Sequence, residues 1–472
     1  MLTISCKKVL EDKVYDKLVP DNFFQNDGEA IAAVNAIYGS LNGTGWDYYG
    51  PGNGLFPIMQ DGTTDVFAAT GPGIFNDLTN FQWKVDEYNI MVNWQDIYKG
   101  ISYANYILQY LPAAGKVSPD IKKRIIAEAK TGLGLFYKDL TEMWGDVPLI
   151  TSFDEGLQGY PSRTSKKEVL DYAVKNLNEA IPDLPVSYGA ADYGRFTQGA
   201  AYGILCKIYL QEKKWDSVNY VCDKILANGY SLDANYSSLF AAQNQNNKEF
   251  ILVRLSSTDF NVGNDYPTYS LPPDFKLPDG VSIQAWNGYR VRRAFYETFD
   301  PADARRKLIL TKYANTNGDT TFLNAPLDVL FMKYQIDPGA FIVFGSNDIP
   351  IIRLADILLA KSEALNELNG PNQQSVDLIN QIRGRAFNND ATKLKTLADF
   401  PSKEALNEWI LKERGWELYF EGHRRMDLIR HSKFLQKAQE RGVTEATDKR
   451  LLFPIPQSEL DANPGLVQNP GY

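Results

Sequence analysis

Cysteine is nearly absent: Cys6, Cys206 and Cys222 are the only three in 472 residues, and their spacing forms no metal or redox motif. Histidine is scarcer still. His423 and His431 stand eight residues apart, without the short helical spacing and third ligand that a zinc site needs. No stretch of about 18 apolar residues occurs, so no helix is expected to span a membrane. GxSxG, Walker, HExxH and CxxC patterns are missing, which removes the catalytic signatures that a sequence can carry by itself. The glycine-rich "GPGNG" and "GPG" do not fall between a strand and a helix, so phosphate cradling is not expected. An excess of positive charge is also lacking. The net charge of −9 argues against broad attraction to nucleic acid or anionic lipid.

What is present is an ordinary globular balance, 44% hydrophobic and 23% charged, at a length that by itself would suggest two or three domains. Aromatics are plentiful: 27 Tyr, 24 Phe and 8 Trp. That is more than a core requires, and part of the excess is expected at binding surfaces, where Tyr and Trp offer an apolar face and a polar tip.

The first half reads as a succession of helices. "DGEAIAAVNAIYGSLN" (27–42) places Ile31, Val34, Ile37, Tyr38 and Leu41 at spacings of three and four. Ser118 followed by Pro119, and Ser165 with Glu168, mark two helix starts. "TQGAAYGILCKIYLQEKKWDSVNYVCDKILANGYSL" reads as a helical hairpin turning near 213–215, the unit of tetratricopeptide-like arrays, and places Cys206 and Cys222 as buried free thiols. Helix is expected again at "IPIIRLADILLAKSEALNELNG", closing at Gly370, and at "VDLINQIRGRAF". Residues 43–90 and 255–345 differ. They are rich in Gly, Pro, Asn and Asp with aromatics between, the composition of long loops that carry function.

Two features compete as the functional site. "KERGWELYFEGHRRMDLIRH" (412–431) is the densest polar-aromatic stretch and holds both histidines. Glu417, Glu421 and Arg425 stand four apart, a helical spacing at which they would line one face and pair. The favoured reading is internal ion pairs that tie helices together. The second feature is the loop aromatics, whose rings could stack on the C–H faces of sugars while Asn, Asp and Arg bond the hydroxyls. Carboxylate pairs abound, but none is a glycosidase dyad without geometry. "DPADA" and "NTNGDTT" lack the spacing of a calcium loop, so no metal or other cofactor is expected. Cys6, in "MLTISCKK", sits as the cysteine does at the end of a bacterial lipoprotein signal. Only five residues precede it, so it is either the lipidated residue of a trimmed signal or a coincidence.

"WQDIYKGISYANYIL", "WGDVPLI", "GRFTQGAAYGILCKIYL", "SSLF" with "NKEFILV", "IPIIRLADILLAKSEALNELNG", "LINQIRGRA", "ERGWELYFEGHRRMDLIR" and "LFPIPQSELDANPGLVQNPGY" follow one another in an order that resembles the SusD/RagB family of Bacteroidetes outer-membrane nutrient-binding lipoproteins. The resemblance spans nearly the whole chain. It implies one mostly α domain over 1–472: an irregular tetratricopeptide-like helical-pair scaffold at 27–230, a loop-rich ligand-binding region at 255–345 and C-terminal helices at 346–472. It implies a non-enzymatic glycan binder at the cell surface, anchored in the outer membrane through a lipid on Cys6. Its partner would be a SusC-like TonB-dependent transporter, to which oligo- or polysaccharide is delivered; a peptide or glycopeptide is the alternative ligand. It also implies that the Glu-Arg block is structural. Site residues do not carry over by motif, because the loops are where members differ. Chemistry selects Trp83, Trp286 and Tyr289 as stacking rings, then Trp46 and Tyr313, with Asp61, Asn287 and Arg293 as polar partners.

Overall fold

The computed structural model describes residues 24–41, 48–49, 56–259 and 262–472; Cys6 and Trp46 lie outside the described residues. The first half contains α1 (Asp27–Leu41), α2 (Phe56–Gly62), α3 (Ile74–Asn80), α4 (Tyr88–Tyr110), α5 (Pro119–Trp144), α6 (Phe153–Gln158), α7 (Lys166–Ala180), α8 (Gln198–Gln211) and α9 (Trp215–Leu226). Short α10 (Tyr236–Leu239), α11 (Tyr266–Ser270) and α12 (Arg293–Tyr296) punctuate the middle. The chain closes with α13 (Leu354–Asn369), α14 (Gln373–Ala386), α15 (Lys403–Leu418), α16 (Arg424–Arg430), α17 (Phe434–Glu440) and α18 (Gln457–Ala462). The longer helices stack as a run of neighbours: α1 on α4, α4 on α5, α5 on α7, α8 on α9, α9 on α13, and α13 on both α14 and α15. The fold is mostly α and built of helical pairs, as expected.

α5 is the axis of this stack. Every residue from Thr131 to Trp144 is buried, so this half of the helix is covered on all sides and a solvent-facing side is not needed there. Glycines set the crossings. A Cβ on Gly100 of α4 would lie 2.5 Å from the Phe136 ring and 2.7 Å from Ser40 Oγ, and one on Gly134 would lie 2.5 Å from Leu177. Gly100→Ala is therefore expected to destabilise the protein by about 1–3 kcal/mol through overpacking, despite alanine's better helix propensity. A denaturation midpoint equal to wild type would show that α1 and α5 yield freely there.

The helix starts use the expected residues in altered ways. Ser118 precedes Pro119, but its N–H and hydroxyl both donate to Asp27 at 2.7 and 2.9 Å, tying the start of α5 to the start of α1. Ser165 Oγ accepts from Glu168 N at 3.3 Å and donates to its carboxylate at 2.6 Å. The α8–α9 hairpin turns between Gln211 and Trp215 and buries Cys206 and Cys222 as free thiols, Sγ to Sγ 3.6 Å; burial pushes the Cys222 thiol up.

The strands are short and paired only in twos: β1 (Phe67–Ala69), β2 (Phe250–Arg254), β3 (Ser282–Ile283), β4 (Tyr289–Val291), β5 (Ile309–Leu310), β6 (Lys312–Ala314), β7 (Thr320–Phe322), β8 (Leu330–Phe331), β9 (Phe341–Ile342) and β10 (Ile349–Arg353). Two expectations change here. "IPIIR" is not the first turn of a helix but β10, fully buried and antiparallel to β2, as a β-branched run packed on both sides tends to be. The region 43–90 is not all loop, since α2, β1 and α3 lie in it, and this puts the "GPG" of 71–73 between a strand and a helix, contrary to the expectation from sequence. β1 pairs antiparallel with β4, Phe67 opposite Val291 and Ala69 opposite Tyr289. This ladder joins the early and middle aromatic regions, which are far apart in sequence.

Candidate functional site

The stretch 412–431 forms a buried charge network. Arg353, at the end of β10, donates from Nε and Nη2 to the two oxygens of Glu421, each at 2.7 Å. Its Nη1 reaches Glu249 at 2.7 Å and Glu417 at 2.6 Å, and its Nη2 also donates to the Glu417 carbonyl. Arg305 reaches Glu413 at 2.8 Å and Glu417 at 3.0 Å, while Arg385 bonds Glu249 and Glu417. Lys333 adds an ion pair to Glu421 and a 2.8 Å bond to the Tyr419 carbonyl. Burial alone would raise Glu417, but Arg385, Arg353 and Arg305 outweigh it and hold the carboxylate well below its usual range. A second group joins Arg414 to Asp356 and Asp427, and Arg430 to Glu363 and Asp427.

Both histidines belong to this framework. His431 Nε2 lies 3.2 Å from Glu363, and His423 Nδ1 lies 3.3 Å from the Lys207 ammonium. An ammonium only donates, so Nδ1 is the acceptor and the ring is the Nε2–H tautomer. One expectation is corrected. Arg425 does not pair with Glu421, because α15 ends at Leu418 and the chain turns through Phe420 and Gly422 at positive φ. Arg425 instead lies over the Phe434 and Phe453 rings and donates to the Arg450 and Leu451 carbonyls.

Burial, with Lys207 adding to it, holds His423 down at about 3. The unfolded chain takes up that proton near its ordinary value of about 6.5, so stability is lost as pH falls from there toward 3. Asp61 and Asp348, pushed up by burial to about 7 and about 6, act oppositely over the same window. Their contribution is full below the ordinary carboxylate range and is lost as pH rises through those values. The diagnostic is therefore a difference: between pH 6.5 and 4 the melting temperature of His423→Gln is expected to fall less than that of wild type. Parallel curves would remove His423 from the acid limb.

The loop aromatics form a different structure, an open cleft of about 620 Å³. One wall is the turn 286–288. Trp286 N donates to the Thr268 carbonyl at 2.7 Å, Asn287 N to Leu271 at 2.9 Å and Gly288 N to Tyr269 at 2.6 Å, so the turn is stitched along α11. Asn287 holds φ 51°, and its carbonyl accepts from the Thr70 hydroxyl. The Trp286 indole is 39% exposed, packs edge-on against Tyr269 at 4.8 Å, and donates from Nε1 to Gln284 at 3.0 Å. The facing wall is the segment 70–75 and the start of α4, where Tyr88 is 59% exposed. Asn89 is buried at the cleft with its side-chain amide unpartnered among the described residues. Glu87 is half-buried; burial first, then Asp77 and Asp86, raise its carboxyl. Two partly exposed rings, an amide, a carboxyl and a hydroxyl on a held backbone can take a ligand with apolar faces and a polar rim.

Residues 342–472 match the family model described as the SusD family, and residues 17–210 match one described as starch-binding associating with outer membrane. The chain belongs to the SusD-like family. A SusD-like protein of Formosa agariphila is 29% identical, over 99% of this chain and 97% of its own length. A crystallised SusD homologue from Bacteroides thetaiotaomicron superposes with a TM-score of 0.84 at 23% identity, over 96% of this chain and 98% of that one. A laminarin-binding SusD-like protein superposes at 0.78 with 24% identity, over 95% of this chain and 100% of its own. The SusD-like fold thus runs through both the helical stack and the loop-rich half.

Within this SusD-like frame the chosen site residues scatter. Trp286 lines the cleft and remains partly exposed, and Asn287 lines it with its carboxamide bonded to Arg290. Trp83 is corrected: it is 1% exposed, enclosed by Phe81, Phe453 and Arg450, and donates from Nε1 to the Tyr472 hydroxyl at 2.8 Å. Tyr289, also 1% exposed, is inner wall rather than platform, wrapped by Phe67, Phe75, Tyr269 and Phe420. Tyr313 is buried on β6 with Phe275 stacked on its ring and its hydroxyl on Asp274. Asp61, fully buried, accepts the N–H groups of Gly422 and Arg424 and so holds α2 against α16. Arg293 clamps the segment 323–328, with Nε on the Leu327 carbonyl and its backbone N–H on Asp328. Tyr88, Glu87 and Asn89 were not selected from sequence. Tyr88 could have been, since it lies off the apolar stripe of its helix, formed by Ile90, Trp94, Ile97 and Ile101.

Proposed function

We propose that the protein captures oligo- or polysaccharide in the cleft between Trp286 and the start of α4, and releases it unchanged to a SusC-like TonB-dependent transporter. The observation that carries this reading is Trp286, a tryptophan 39% exposed to the cleft and held on a turn whose every backbone N–H is bonded. Tyr88 adds a second open ring, while Asn89, Glu87 and Thr70 supply the polar contacts that hydroxyls need. The name of the laminarin-binding relative supports the ligand class. Binding without turnover is supported by the walls, where Glu87 is the one carboxylate among the described lining residues, against the pair that glycoside hydrolysis uses.

Stacking on two rings over a largely preformed surface gives modest affinity per site. Modest affinity suits a protein that must let go, and repeated sugar units restore retention through avidity. An outer-membrane position, with Cys6 as the lipid-bearing residue, completes the reading, and the outer-membrane wording of the matched family model supports it. The test is affinity electrophoresis against plant, microbial and host polysaccharides, with Trp286→Ala alongside. Retardation by a glycan class, lost in the variant, is the expected result. Retardation by none of them would overturn the glycan reading and leave peptide or glycopeptide as the ligand class to try.

A further inference from the structure

A second, larger cleft lies elsewhere and shares no lining residue with the first. It encloses about 810 Å³ between α15, the segment after α12, the end of α14 and the start of α17. That volume is within the range of small-molecule sites, roughly 300–1,000 Å³. Its floor is aromatic, with Phe295, Phe299 and Phe387 beside Trp409 and Trp416. Trp416 is half-buried, with Nε1 on the Thr298 hydroxyl at 2.9 Å, and stands edge-on to Trp409 at 5.8 Å.

The walls carry the opposite sign to the rest of the molecule. Cations outnumber acids by seven to four there, in a chain of net charge −9. Most of these cations are already matched: Arg383 with Glu413, Arg424 with Asp65, Lys393 with Asp300, Lys395 with Asp399 and Lys437 with Glu440. Lys412, exposed on α15, and Lys433, half-buried before α17, have no ion pair or hydrogen bond from their ammonium groups among the described residues. Two uncommitted ammoniums over an aromatic floor suit a ligand with both apolar faces and negative charge. Inorganic phosphate or sulfate would make no use of the floor, and a neutral sugar would make none of the lysines.

We infer that this cleft is a second ligand site, for the acidic units of a saccharide, with Lys412 and Lys433 meeting a uronate carboxylate or sulfate ester and Trp416 meeting the sugar ring. The choice of a saccharide over another organic anion rests on the capture role proposed above. Such a site adds a contact that depends on charge, is screened by salt, and is independent of Trp286.

The test uses affinity electrophoresis at low salt on wild type, Lys412→Gln/Lys433→Gln and Trp286→Ala. The probes are polygalacturonate, chondroitin sulfate, desulfated chondroitin and neutral laminarin. Because both lysines are on the surface, the double variant is expected to keep the wild-type melting temperature. Wild type is expected to be retarded by polygalacturonate or chondroitin sulfate, with affinity at least about fivefold weaker in the double variant and falling as salt is raised. Trp286→Ala is expected to keep that salt-sensitive component. A sulfate requirement shows as loss on desulfation, and a carboxylate requirement as binding to polygalacturonate alone. No retardation by either acidic polymer, or retardation unchanged in the double variant, overturns the second site. Laminarin binding lost in Trp286→Ala would in that case leave the first cleft's role standing.

Discussion

Alanine at Trp286 is expected to weaken glycan binding about tenfold while moving the melting temperature by no more than a few degrees. A tryptophan side chain offers about 150–250 Å², and 39% of Trp286 remains exposed. Roughly 60–100 Å² is then left for a ligand, worth about 1.5–2.5 kcal/mol at ~25 cal/mol per Å². Ordering of the sugar takes back part of that, and a factor of ten corresponds to about 1.4 kcal/mol. The fold should barely register the change. The turn is held by the N–H groups of Trp286, Asn287 and Gly288, which the substitution leaves in place, and Tyr269, edge-on to the indole, is itself buried. Tyr88→Ala is expected to act in the same direction with a smaller effect, since this ring stands alone at a helix start. Isothermal titration with an oligosaccharide of the glycan class found by electrophoresis would measure both. Undiminished affinity in Trp286→Ala would place the ligand elsewhere.

Alanine at Arg353 is expected to have the largest effect on stability, about 3–5 kcal/mol, against a total of about 5–15 for a folded domain. The guanidinium is fully buried and meets Glu249, Glu417 and Glu421 together. Removing it leaves three buried carboxylates with a reduced share of charge, where uncompensated burial is most costly. Arg385, Arg305 and Lys333 remain on these same acids, but none of them reaches all three as Arg353 does. Urea denaturation with the slope compared to wild type would read the loss. A change under about 1 kcal/mol would mean that the remaining cations, or entering water, replace Arg353.

Much of the scaffold was legible because its signals are local. The α8–α9 hairpin, the Gly370 stop and the proline at the start of α5 follow from residues within a few positions of each other. The structural reading of 412–431 was legible for a related reason, since the stretch lacked the spacing that metal or nucleophile chemistry demands. The site was legible only in part, because ring exposure is not a local property. Trp83 looks like a loop ring, yet it is enclosed by Arg450, Phe453 and Tyr472, hundreds of residues downstream. Tyr289 sits three residues from Trp286 but on the inward side of the β1–β4 ladder, and nothing in "AWNGYR" says which of the two faces out. Tyr88 lies off the apolar stripe of its helix, a local sign of an outward ring, but nothing near it in sequence says that it shares a cleft with Trp286. The Glu421–Arg425 pairing failed because helical spacing holds only while the helix continues.

The charge network also bears on how such a protein can change over generations. An acid that answers to several arginines cannot be altered alone, since every single step strands the remaining charges. The exposed positions of the Trp286 cleft are under no such constraint: Trp286 stands on a turn held by backbone bonds that a change of its side chain would leave intact, and Tyr88 stands outward at a helix start. The surface of this cleft is thus free to drift one residue at a time over a frame that is not, so a new ligand preference there would need no new fold.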